Sequence, residues 1–131
     1  MRTIQVNVYE FKELNARSQQ RALDIAMETS TDHDWWNCVY DHYMSLVSYK
    51  GAIVINKING FNLNNYKVDL DISTDLVEDI DEDTLHDLIK ELKGDILKEL
   101  QDEYDHITST EYLIDMVESN EWMFYEDGKL A

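Results

Sequence analysis

The sequence predicts one α+β domain over residues 1–131, in which about four helices pack on a small, mainly antiparallel sheet of about four strands in the order βααββααβ. Short segments with alternating apolar residues indicate the strands, and longer segments with apolar residues three and four positions apart indicate the helices. Because proline is absent and glycine occurs only four times, no linker divides the chain. A hydrophobic content of 44% is enough for a single core.

The first half of the chain predicts one strand and two helices. "TIQVNVYEF" alternates apolar and polar residues, which indicates a strand that ends at about Phe11. Asn15 is a suitable cap for a first helix. A second helix is predicted from about Asp32 to Tyr49, because its apolar residues follow three-and-four spacing and Gly51 can terminate it.

Two further strands are predicted in the middle of the chain. "AIVINKI" and "YKVDLDI" flank "NGFNLNN", which indicates an antiparallel pair joined by a loop of about six residues. In the second strand, Val68, Leu70 and Ile72 share one face, so Asp69 and Asp71 are expected on the solvent face.

The last third predicts two helices and a final short strand. A long helix is expected over residues 84–106 with Asp83 as its cap, and another over residues 110–120. "EWMFYEDGKLA" indicates a short strand followed by a turn.

Charge is distributed unevenly along the sequence. Residues 1–67 contain seven acidic and seven basic side chains, whereas residues 68–131 contain twenty-one acids and four lysines, so the second half carries the whole net charge of −17. Such asymmetry favours a surface with a basic partner and argues against direct nucleic-acid binding, because phosphates would be repelled.

The long helix combines an apolar ridge, Leu88, Leu92, Ile96, Leu100 and Tyr104, with a parallel ridge of carboxylates about 6 Å apart by helical rise. Like charges four residues apart cost a few tenths of a kcal/mol per pair, roughly, so a partner explains them better than stability does. A solvated helix face is the alternative. The predicted partner-binding residues are Asp69, Asp71, Asp75, Glu78, Asp79, Asp83, Asp87, Glu91, Asp95, Glu99 and Glu103.

Metal chemistry is not predicted. Two registers starting at Asp69 and Asp71 resemble a calcium loop, but both lack the central glycine, so neither forms an EF-hand. Cys38 and His42, with Asp34 a turn earlier, could form a transition-metal half-site, but no companion motif accompanies them. The sequence therefore predicts no metal site and no cofactor.

Enzymatic activity is not predicted either. The chain has no glycine-rich phosphate loop, no G-x-S-x-G motif and no recognisable Cys–His arrangement, so no catalytic residue is assigned. One cysteine and the absence of a signal-peptide pattern or a membrane-spanning run indicate a reducing cytoplasm and no membrane partner.

Both ends of the chain resemble a family of small proteins of tailed bacteriophages and prophages. The resemblance lies in "VYEFKELNARSQQRALD" and "WWNCVYDHY", and in "ELQDEYDHITSTEYLIDMVESNEWMFYEDGKL". The family's Gly- and Ser-rich middle segment is reduced here to Gly60 and Phe61. The resemblance implies a bacteriophage gene acting in the cytoplasm of a bacterial host, but no known activity.

Taken with the charge, this resemblance predicts an acidic inhibitor that mimics nucleic acid and blocks a basic host protein or ribonucleoprotein of a CRISPR–Cas or restriction system. The chain is similar to anti-CRISPR and anti-restriction inhibitors in size and charge. Two alternatives stay open. One is a structural or regulatory module, dimeric through Trp122, Phe124 or Tyr125, and the other is a small hydrolase with paired carboxylates and a divalent ion.

Overall fold

The computed structural model describes residues 6–131 and shows an α+β protein. Within these residues there are four α-helices and one two-stranded antiparallel sheet, so the predicted class is confirmed but the prediction of about four strands is wrong. The elements are a 3-10 helix at Phe11–Glu13, α1 at Ala16–Thr31, α2 at Asn37–Met44, β1 at Val54–Asn62, β2 at Lys67–Ser73, α3 at Glu82–Ile107 and α4 at Thr110–Ser119.

The chain forms two compact units. The first comprises the described part of Met1–Trp35 together with Asp105–Ala131, and the second comprises Trp36–Tyr104. The core of the first unit contains residues of the 3-10 helix, α1, α4 and the C-terminal segment. They are Phe11, Leu14, Ala22, Ala26, Leu113, Val117 and Phe124.

Side-chain caps fix the starts of the two helices in this first unit. Asn15 Oδ1 accepts a hydrogen bond from the Ser18 amide at 2.9 Å, which confirms the predicted cap of α1. Ser109 Oγ accepts one from the Tyr112 amide at 3.3 Å and caps α4. Each cap satisfies an amide that has no partner within the helix.

The predicted terminal strands are wrong within the described residues. Tyr9 and Phe124 exchange two backbone hydrogen bonds of 2.8 Å, but this is an isolated bridge, and Phe124 forms a second one with Leu130. The chain turns into the 3-10 helix directly after Glu10, whose amide donates to Glu13 Oε1 at 2.7 Å. Residues 1–5 of the predicted first strand lie outside the described residues.

The second unit begins with a helix that is shorter than predicted. α2 occupies only Asn37–Met44 because the chain then makes a tight turn, in which the Tyr49 amide donates to the Ile53 carbonyl at 2.6 Å. Lys50 and Gly51 adopt positive φ values of 49° and 71°, which a helix does not permit. Val47, which the spacing places in the helix, is 92% exposed.

β1 and β2 form an antiparallel hairpin with a four-residue loop, 63–66, and two bulges in β1. The predicted pair is confirmed, although its loop is shorter than expected. Val68 is buried while Asp69 and Asp71 are exposed, as the alternation predicts. The rings of Trp36 and Phe61 meet edge to face at 5.7 Å, which places α2 against β1.

α3 contributes a continuous apolar ridge. Leu92, Ile96 and Leu100 are fully buried, which confirms the predicted core face of the long helix. Its observed start at Glu82 and end at Ile107 lie close to the predicted limits. No helix in the described part of the chain has the length and apolar composition that a bilayer crossing requires.

Candidate partner-binding surface

All eleven predicted partner-binding residues belong to the unit Trp36–Tyr104, and ten of them are exposed. The exception is Glu103, which is half-buried. The surroundings of the ten exposed residues differ, however, and divide them into two sets along the chain. We call residues 69–87 the acidic segment, and we call Glu91, Asp95 and Glu99 the ladder carboxylates.

The acidic segment carries no compensating charge of its own. Between Lys67 and Lys90 the sequence has nine acids and neither Lys nor Arg. In the sheet, Lys57 of β1 stands opposite Asp71 of β2, yet among the described residues no carboxylate of the acidic segment takes part in an ion pair. Its negative field is therefore directed to solvent or to a partner.

Between β2 and α3 the acidic segment has no regular secondary structure. Asp75, Glu78 and Asp79 are exposed there, and so are two apolar side chains, Leu76 at 51% and Val77 at 41%. Acidic and apolar side chains are thus exposed next to one another, so this stretch offers a partner both charge and apolar contact.

The start of α3 uses one carboxylate internally. Asp81 Oδ1 accepts from the amides of Asp83 at 2.8 Å and Thr84 at 3.2 Å, and its Oδ2 accepts from the Thr84 hydroxyl at 2.9 Å. These hydrogen bonds hold the pKa of Asp81 below its usual range. Asp81 is therefore the cap, and the prediction of Asp83 as the cap is wrong by two residues. Asp83 remains exposed in the first turn, where the helix dipole favours a negative charge.

The ladder carboxylates meet three donors from α2 and the turn after it. The Tyr49 hydroxyl donates to Asp95 Oδ2 at 2.6 Å, and Lys50 Nζ forms an ion pair with Glu91. The Tyr43 phenol lies close enough to Glu99 and Asp95 for their negative charges to raise its pKa. Three carboxylates at four-residue spacing along α3 thus face three side chains that the sequence analysis did not connect with the acidic ridge.

The ladder also changes the chemistry of its tyrosines. Burial, together with the negative charges of Glu99 and Asp95, raises the pKa of Tyr43 to about 12. Burial and the hydrogen bond to Asp95 raise the pKa of Tyr49 as well. Both phenols therefore stay protonated above the ordinary phenol pKa of 10, and the Tyr49 hydroxyl remains a donor to Asp95 under alkaline conditions.

A shallow depression lies between α2 and the last turns of α3. Cys38 and His42 line it from α2, one helical turn apart, and Glu99 and Glu103 line it from α3. Asp34 precedes the first residue of α2, so the expectation that it shares the helix face with Cys38 and His42 is wrong. In the region 6–131, no three His, Cys, Asp or Glu side chains are grouped in a way that could hold a metal ion.

Of the three aromatic residues considered for a dimer contact, one is internal. Phe124 is completely buried in the core of the first unit, so it is not available to a second copy. Trp122 is half-buried beside Phe124, with ring centroids 6.5 Å apart, and Tyr125 is 40% exposed.

The two compact units share the net charge almost equally. Trp36–Tyr104 contains fifteen acids and six lysines, a formal net charge of −9, and the rest of the chain contains thirteen acids and five basic residues, a net charge of −8. In the first unit, residues 1–35 carry a net charge of −2 and residues 105–131 carry −6. The distinctive feature of the second unit is therefore the uninterrupted acidic segment and not its total charge.

No family model matches the chain, and no curated protein or solved structure resembles it significantly. The similarity of the chain ends to bacteriophage proteins therefore stays a prediction.

Proposed function

We propose that this protein is a bacteriophage-encoded, non-enzymatic inhibitor that mimics nucleic acid and occupies the basic nucleic-acid-binding surface of a host defence complex. The observation that carries the proposal is the acidic segment, in which eight of nine carboxylates have no internal partner among the described residues. The bacteriophage origin, and the choice of a CRISPR–Cas or restriction nuclease as target, rest on the resemblance of the chain ends and on analogy.

Electrostatics supports a partner for this segment. Nine like charges within nineteen residues repel one another in the free protein. A surface of Arg and Lys relieves this repulsion and accelerates association, since complementary fields steer two proteins together. A carboxylate with no internal partner also binds a new cation without first breaking an existing contact.

The spacing of the carboxylates resembles a series of phosphates. Asp69 and Asp71 lie on one face of β2, about 7 Å apart by strand rise. Asp83 and Asp87 lie one turn apart on α3, about 6 Å by helical rise. The exposed Leu76 adds apolar contact between the two pairs, which a phosphate backbone does not provide.

The test replaces carboxylates that have no internal role. We choose Asp75→Asn, Glu78→Gln, Asp79→Asn and Asp87→Asn in one variant, because their side chains are exposed and none has a partner within the described chain. The ladder carboxylates are left intact, since their loss would also disturb the contacts of α2 and its turn. The matched control removes four exposed charges from the other unit. Its changes are Glu28→Gln, Asp34→Asn, Glu111→Gln and Asp115→Asn.

Each tagged protein is used to capture partners from a bacterial lysate, with elution by duplex DNA. At 0.1 M salt we expect the wild type and the control to retain a nucleic-acid-binding complex that added DNA displaces, and the acidic-segment variant to lose it. At 1 M salt the screening length falls from about 10 Å to about 3 Å, so capture should fail for all three. Equal capture by the acidic-segment variant and the wild type, with unchanged circular dichroism, would remove this segment from the mechanism.

A further inference from the structure

A groove in the first compact unit lies between the 3-10 helix and the end of α4. It has a volume of about 570 Å³, within the range of small-ligand sites. Its apolar lining includes Phe11 and Val117, which belong to the buried core, and the half-buried Trp122 and Met123. The groove therefore has a rigid apolar floor.

Carboxylates surround this apolar floor. Glu10, Glu118 and Glu121 line the groove, with Lys12 as the single basic residue among the described residues of its lining. Lys12 Nζ lies 3.3 Å from Glu10 Oε2, so this pair is internally neutralised. Among the described residues, the side chains of Glu118 and Glu121 have neither a hydrogen-bond donor nor a cation as partner. The groove thus combines an aromatic ring with two uncompensated negative charges.

The backbone at Glu121 is also unusual. Its φ of 54° lies in the left-handed region, directly after the cap of α4, where glycine or asparagine is the common choice. Glutamate is less stable in this conformation than glycine. Its presence places a carboxylate at the edge of the groove.

We infer that the groove binds an arginine side chain of a protein partner, an inference that rests on the proposed function in taking a basic protein as the source of that side chain. A guanidinium is planar and stacks on an indole, and its N–H groups donate to carboxylates. The methylene stem of arginine matches the apolar contacts that Val117 and Met123 offer. Lysine has the charge without the planar group, so arginine fits this combination better.

The test uses a peptide with one arginine, N-acetyl-Gly-Arg-Gly-amide, and an otherwise identical peptide with neutral citrulline. Both are titrated into ¹⁵N-labelled protein at constant ionic strength, and the indole N–H signals of the three tryptophans are followed. Trp122→Phe assigns the signal of the groove, and Trp35 and Trp36 serve as internal controls. We expect only the Trp122 signal to shift in a saturable way, and only with the arginine peptide.

The pair Glu118→Gln and Glu121→Gln should weaken this binding by about fivefold or more, because each removes a charged acceptor. The matched control, Glu111→Gln with Asp115→Asn, removes two exposed charges from the same helix outside the groove and should leave the affinity unchanged. Equal weakening in both pairs, equal shifts of all three indoles, or equal binding of the citrulline peptide would overturn the inference.

This experiment is independent of the test of the acidic segment. The four-residue acidic-segment variant should bind the arginine peptide as the wild type does. If the protein captures no partner from the lysate but still binds the arginine peptide, the proposed function fails and the arginine site in the groove is supported. If the arginine peptide does not bind but the lysate capture is intact and is displaced by DNA, the arginine site in the groove is refuted and the proposed function stands.

Discussion

Replacing Tyr49 by Phe removes one hydroxyl and retains the aromatic ring. The ring is buried, with 7% of the residue exposed, and its hydroxyl donates to Asp95 Oδ2 at 2.6 Å. The variant therefore removes one hydrogen bond between α3 and the turn after α2. It leaves no buried donor without a partner, because phenylalanine has none.

The expected cost follows from the kind of hydrogen bond. A hydrogen bond to a charged group contributes about 1.5–3 kcal/mol to stability. Asp95 is exposed and can bind water once the phenol is gone, so part of this contribution is recovered. We therefore expect Tyr49→Phe to lower the free energy of unfolding by about 1–2 kcal/mol, at or just below the lower end of the range for such bonds.

Urea unfolding followed by circular dichroism measures this difference, and a double-mutant cycle with Asp95→Ala isolates the contact. We expect a coupling energy of about 1 kcal/mol or more between the two positions. Tyr66→Phe is the matched control, since Tyr66 is 57% exposed and the same hydroxyl is lost to solvent. A coupling energy below about 0.3 kcal/mol, or an equal effect of the Tyr66 variant, would refute the structural role of the ladder.

Three other perturbations have clear expected outcomes. Gly128→Ala should lower the free energy of unfolding by about 2–4 kcal/mol, because the added Cβ would lie 2.2 Å from the Ser18 carbonyl oxygen at a φ of +90°. Gly51→Ala has open space around the added Cβ and should cost only about 1 kcal/mol, and thermal unfolding of both variants measures the difference. Burial raises the pKa of Tyr43 from 10.0 to about 12, so ionisation is penalised in the folded state and stability should fall by about 1–2 kcal/mol as the pH rises from 10 toward 12. Unfolding midpoints from pH 8 to 11.5 should therefore fall more steeply in the wild type than in Tyr43→Phe. Glu121→Gly should raise the free energy of unfolding by about 1 kcal/mol, because glycine adopts the left-handed backbone at this position without strain, and it should weaken binding of the arginine peptide. A variant that binds the peptide as tightly as the wild type would show that Glu121 does not contribute to binding in the groove.

The sequence predicted the elements whose signals are local. The cap at Asn15, the alternation in β2 and the apolar ridge of α3 depend on neighbours within a few residues, and all three are confirmed. The length of α2 could not be predicted in the same way. Its apolar residues continue at helical spacing to Val47, but the turn at Lys50 and Gly51 requires left-handed backbone and ends the helix earlier.

The terminal strands failed for a different reason. Tyr9 and Phe124 do pair, but a sheet needs partners on several successive residues, and the chain leaves the extended conformation at the 3-10 helix. Local alternation reports which side chains can face a core. It does not report how many residues of a distant segment remain extended beside them.

The candidate site shows the same limit. Exposure of the carboxylates in the acidic segment follows from its composition, and all nine are exposed as expected. The ladder carboxylates depend on long-range contacts. Lys50 is 41 positions from Glu91 in the sequence, and Tyr49 is 46 positions from Asp95. A tyrosine at the end of an apolar run is equally consistent with a purely apolar contact, so no sequence signal identified its carboxylate partner.

The ladder carboxylates and the carboxylates of the acidic segment have different roles in the folded chain. In the sequence, one row of carboxylates extends from Asp83 to Glu103 and suggests one continuous binding surface. In the folded chain, Asp95 and Glu91 in the middle of that row bind Tyr49 and Lys50, so their negative charge is partly used to attach α3 to the turn after α2. Reversing the ladder would therefore test stability and binding together. Among the described residues, eight of the nine carboxylates of the acidic segment have no internal partner, so neutralising them tests binding alone.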